Sequence, residues 1–127
     1  MKKFFLREEG QISLEMLLLA LVILLLSASI LSYYIQIGDS SMAMYLLDTE
    51  TLKAIDEANE VVVKEGMEYR IDNAASSLEL CLFTRSTSGN PLLNAAERAN
   101  IEDFIEANTN FSTVNLYENP GSPTPCE

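Results

Sequence analysis

Twenty consecutive residues, Met16 to Ile35, carry no charge, and from Met16 to Leu26 there is no polar side chain at all. Coiled as a helix, a run of that length reaches about 30 Å, the thickness of a bilayer's hydrocarbon core. Leu17, Leu18, Leu19, Leu21, Leu24, Leu25 and Leu26 make it apolar on every side. Such a helix is covered all round by lipid or by other helices. Ala20, Ser27, Ala28, Ser29 and Ser32 are small enough to let helices approach closely. Lys2, Lys3 and Arg7 precede the run and mark that end as cytoplasmic, with Glu8 and Glu9 weighing little in the rule. The chain beyond the run is then expected outside the cytoplasm.

The chain has 127 residues and a formal net charge of −11. Beyond the apolar run there is room for one small domain. Loss of residues 1–10 would remove three basic and two acidic residues and leave −12. So acidic a surface repels phosphate backbones, and no nucleic-acid partner is expected. There is no His, which removes the commonest general base and the commonest zinc ligand. No nucleophile motif or phosphate-binding loop is present, so neither catalytic residues nor a cofactor or metal is expected. The two cysteines, Cys81 and Cys126, lack C-x-x-C spacing. If the C-terminal part lies outside the cell they can form a disulfide pinning the Pro-rich tail to the body; otherwise they are two unpaired thiols.

Ser27-Ala28-Ser29 imitates the small-residue site at which an ordinary secretory signal is cut. The apolar segment, however, is longer than a usual signal core. Ahead of it stands Gly10, then Gln11, Ser13, Glu15 and Leu19 in the order Q-x-S-x-E-x-x-x-L. With the basic leader before it, this resembles the class III signal peptide of archaeal type IV pilin-like proteins, over roughly the first 35 residues. Glu8 and Glu9 depart from the family, many of whose members carry basic residues there. The resemblance implies that a membrane-bound prepilin peptidase cuts between Gly10 and Gln11 on the cytoplasmic side. The apolar helix would stay on the mature chain. The implied partners are other pilin subunits, of the same or a different kind, and the pilus assembly machinery.

Elementary electrostatics bears on the same residues. Cleavage would create an α-amino group at Gln11, charged near neutral pH. Burying that charge among apolar helices is costly without a partner. Glu15 lies four residues on, about one helical turn, and can face that amine in its own or a neighbouring subunit. The plainer role is a carboxylate that stays at the membrane interface and reaches water.

Tyr33 and Tyr34 fall where interfacial aromatic residues are expected. Gly38 marks a kink or a brief unwinding, and Asp39-Ser40-Ser41 offers N-caps. Met42, Tyr45, Leu46, Thr49, Leu52, Ile55, Ala58 and Val62 recur at helical spacing. That predicts an amphipathic helix over 39–65 with this stripe inward, stopped by Gly66. Leu78, Leu80 and Leu82 alternate with Glu79, Cys81 and Phe83, predicting a strand over 77–84. Residues 85–91 read as a loop. Residues 93–107 read as a second amphipathic helix, with Ala96, Ile101, Phe104 and Ile105 inward and Glu97, Glu102, Asp103 and Glu106 outward. Residues 111–117 read as a strand that pairs antiparallel with the first or sits at an edge. Asn110-Phe111-Ser112 is a glycosylation sequon.

The expected architecture is α+β. A long N-terminal helical spine, apolar in its first half and amphipathic in its second, carries a small head of short antiparallel strands and one further helix. Its parts are a cleaved leader at 1–10, a transmembrane or filament-core helix at 11–37, and an acidic extracellular head at 38–127. The expected function is that of a structural subunit, major or minor, of an extracellular type IV pilus-like filament. The alternative is a single-pass membrane-anchored protein whose acidic head binds a partner.

Overall fold

The structure, a computed structural model, describes the backbone from Lys2 to Glu127 and the side chains from Ser13 onward. The leader and the expected cut between Gly10 and Gln11 lie outside the residues whose side chains are described. The order of elements is α1 (Lys2–Glu57), β1 (Val62–Asp72), β2 (Ser77–Ser86), α2 (Ala95–Asn108) and β3 (Thr113–Glu118), an α+β fold. The chain divides into two compact units, Met1–Ile37 and Gly38–Glu127.

The first unit is the apolar part of α1. In the second, three strands lie in the order β1-β2-β3. β1 and β2 form an antiparallel hairpin running from Val62↔Ser86 to Asp72↔Ser77, with a bulge between Lys64 and Gly66. The Asp72 carboxylate closes the turn by accepting from the backbone N–H of Ala74 (3.0 Å) and Ala75 (3.3 Å). β3 pairs parallel to β2, from Ser77↔Thr113 to Leu82↔Glu118. β3 therefore sits at an edge, but parallel rather than antiparallel. α2 is the reason: a helix between two strands returns the chain to the starting end of the sheet, as parallel pairing requires.

Leu78, Leu80 and Leu82 point to one face of β2 and are fully buried. They join Ala43 and Leu47 of α1, Ile101 and Ile105 of α2, and Val114 and Leu116 of β3 in one core. Burial of each large aliphatic side chain contributes about 1.5–3 kcal/mol. α2 is started by Asn94, whose side chain accepts from Glu97 N while the Glu97 carboxylate accepts from Asn94 N, both at 2.8 Å. This reciprocal cap is the reason the helix begins at Ala95 rather than Leu93.

Two expectations about α1 are corrected. The helix ends at Glu57, not at residue 65, and Gly66 lies inside β1. Val61-Val62-Val63 is a β-branched run that packs well on a pleated surface, and Lys64 reaches back to an ion pair with Asp48 of α1. The inward stripe is also different. Ser40, Ala43, Leu47 and Thr51 are buried, while Met42, Tyr45 and Leu52 are 46%, 66% and 52% exposed. The buried side chains at 40, 43 and 51 are small or polar, and a stripe chosen by hydrophobicity alone misses them. The buried Thr51 hydroxyl is satisfied by donating to Leu47 O at 2.7 Å.

α2 needs the same kind of correction. Ala96 is exposed and Phe104 largely so, leaving Ile101 and Ile105 as its buried residues. Glu102 and Glu106 are half-buried instead of outward.

Candidate functional site: the apolar helix and the tied head

In the first unit every described residue from Ser13 to Ile35 is exposed within the chain. An 18-residue window within Ser13–Glu57 has a mean hydropathy of 2.7, long and apolar enough to cross a membrane, and none of that window is buried. A stretch this apolar with no cover from its own chain needs cover from outside it. Two of the three serine hydroxyls within residues 16–35 are already consumed locally. Ser27 donates to Ile23 O at 2.8 Å and Ser29 to Leu25 O at 2.9 Å. These two hydroxyls thus add no unsatisfied polar group to an apolar surrounding.

Ser13, Glu15 and Leu19 lie together on this helix, Glu15 and Leu19 one turn apart and so on one face. Glu15 is exposed and has no hydrogen bond or ion pair among the described residues. Gly10 and Gln11, the other half of the expected processing motif, lie outside the residues whose side chains are described.

Within the second unit, Cys81 and Cys126 are bonded as a disulfide across a sequence separation of 45. Cys81 is on the sheet face opposite the leucines, yet it is fully buried. The Arg70 guanidinium adds a second tie, donating to Glu127 O at 3.0 Å. Residues 119–127 are therefore fastened to β2 and β1. On the same sheet face, Tyr117 stands beside Glu79. The hydrogen bond to that carboxylate holds the phenol's pKa above its ordinary value, and burial and the charges of Glu79 and Glu102 push the same way.

Asn110 is exposed, and its side-chain amide donates to the Asp39 carboxylate at 3.0 Å. Phe111 between the sequon's polar residues is buried, and the Ser112 hydroxyl donates toward Ala75 O and Ser76 O at 3.2 and 3.1 Å.

Sequence reasoning does not identify three groups of acidic residues that the fold assembles. Glu118 takes three donors: Thr84 Oγ1 at 2.8 Å, Leu92 N at 2.5 Å and Leu93 N at 2.9 Å. It thereby fixes the segment that leads into α2. Glu106 accepts from Val114 N at 2.8 Å, and Glu102 from Leu116 N at 2.7 Å. A third group, Glu50, Glu57 and Glu97, stands with Lys53 around a groove of about 350 Å³ between α1 and α2, over Leu93, Ile101 and Phe104. Only the spacing of Glu102 and Glu106 is visible in the sequence, and it reads equally well as a solvated face. Among the described residues there is no group of three side chains placed to hold a metal ion.

No protein-family model, curated protein or solved structure matches this chain.

Proposed function

We propose that this chain is a subunit, major or minor, of an extracellular type IV pilus-like filament. The observation that carries the reading is one continuous stretch. Gln11-x-Ser13-x-Glu15-x-x-x-Leu19 leads directly into an uncharged helix that finds no cover within its own chain. In this reading the precursor inserts with its leader in the cytoplasm and its acidic head outside. A prepilin peptidase cuts between Gly10 and Gln11. An assembly ATPase and a membrane platform, implied by the resemblance, move subunits from the bilayer into the filament. The helix exchanges lipid for sister helices, which needs no change in the helix itself.

Glu15 supplies the register. The new amine at Gln11 and the Glu15 carboxylate carry opposite charges, and a subunit docked out of place leaves both unpaired in apolar surroundings. Breaking such a buried pair costs about 3–5 kcal/mol, enough to reject a misplaced subunit. The head, tied by its disulfide, is the part that faces the medium.

The groove between α1 and α2 favours a second reading, a single-pass anchored protein whose head binds a partner. The intact mass of the mature protein separates the two. A chain beginning at Gln11 supports the filament subunit, and retention of residues 1–10 supports the plain anchor.

A further inference from the structure

The outer edge of β3 is closed by α2. Glu102 and Glu106 are spaced i, i+4 on the helix, about 6 Å along its axis. Val114 and Leu116 are spaced i, i+2 on the strand, about 6.6 Å apart. The two repeats nearly match, so successive turns of α2 meet successive outward N–H groups of β3: Glu106 with Val114, Glu102 with Leu116. The carboxylates stand where the carbonyls of a fourth strand would be.

The other edge is guarded differently. β1 carries a bulge at Lys64/Gly66 and the charges of Lys64, Glu65, Glu68, Arg70 and Asp72. These are devices that make a strand a poor template for another. β3, Thr-Val-Asn-Leu-Tyr-Glu, has no bulge, no proline, no lysine and one charge. Its edge is moreover suited to itself. Two copies related by a two-fold axis at Asn115 would set Val114 opposite Leu116 twice, with the apolar pairs on the core face and no like charges opposed.

We infer that the β3 edge is a latent strand-pairing surface for a second copy of this chain, held shut by Glu102 and Glu106. The inference does not depend on whether the chain polymerises through α1. It matters most where heads are crowded, since an uncovered edge at high local concentration invites pairing between heads.

The test uses the full chain in detergent micelles, with residue-resolved amide exchange. It also uses a synthetic peptide copying residues 111–119 as the added strand. In the unaltered protein Val114 and Leu116 should exchange slowly, and the peptide should leave their signals unmoved. In Glu102→Ala/Glu106→Ala both amides should exchange at least tenfold faster, and the peptide should shift the signals of β3. In Glu102→Gln/Glu106→Gln the amide oxygens still accept, so slow exchange should return; Asp103→Ala, on the exposed side of α2, serves as the control. If the double variant does not fold, the single variants decide. Glu102→Ala should free Leu116 alone and Glu106→Ala should free Val114 alone. Unchanged exchange in the alanine variants would overturn the lock. Faster exchange without any response to the peptide would overturn the pairing surface.

Discussion

Opening the Cys81–Cys126 bridge should cost the head much of its stability. The bond closes a loop with a sequence separation of 45, which contains α2 and β3 entire. For a loop of that length, the lost restraint on the unfolded chain corresponds to about 4 kcal/mol at 25 °C. The unit carrying it is Gly38–Glu127. For a unit of that size each kcal/mol moves the melting temperature by about 4–8 °C, so a fall of roughly 15–30 °C is expected. Cys126→Ser is the right variant, because Cys81 is fully buried and replacing it would add a packing defect to the loss of the bond. The assay is thermal melting of the full chain in detergent, followed by near-ultraviolet circular dichroism. The tyrosine signal there reports packing of the head rather than the helicity of α1. Unaltered protein melted with a thiol reductant should match Cys126→Ser. A melting temperature within about 2 °C of the unreduced protein, in both experiments, would refute the reasoning.

Glu118→Ala should destabilise the head by at least about 3 kcal/mol in urea unfolding. It strands Leu92 N, Leu93 N and the Thr84 hydroxyl, and unmet part-buried donors cost about 1–3 kcal/mol each. Glu118→Gln, which keeps one carbonyl, should lose about half as much. Gly38→Ala should stabilise by about 0.5–1 kcal/mol in thermal melting, because an added Cβ meets nothing within 4 Å in a helical segment; a loss of stability would show that the glycine is structurally required. Glu15→Ala and Glu15→Gln should leave membrane insertion and processing intact while lowering filament yield about 100-fold, the equivalent of the roughly 3 kcal/mol lost with a buried partner. Normal yield in either would remove Glu15 from docking.

How much of the fold can be read from the chain alone depends on the range of the forces involved. The apolar run of α1, the alternation in β2 and the existence of α2 are local patterns, and they are legible. The end of α1 is not, because Gly66 competes with the valine run at 61–63, and pairing with β2 decides in favour of the strand. The buried stripe of α1 escapes a reading by hydrophobicity because its members at 40, 43 and 51 are small or polar, while the larger Met42, Tyr45 and Leu52 stay exposed. The parallel direction of β3 is set by the path of the crossover rather than by residues 113–118 themselves. The roles of Glu102, Glu106 and Glu118 depend on backbone N–H groups that become neighbours only after folding. No spacing rule in the sequence names such partners.

The central claim is that the apolar helix outlives maturation and packs among sister copies. Surface filaments sheared from cells and purified should contain this chain with an intact mass that begins at Gln11. Filaments that lack the chain, with all of it left in the membrane as a species that keeps Met1–Gly10, would contradict the account.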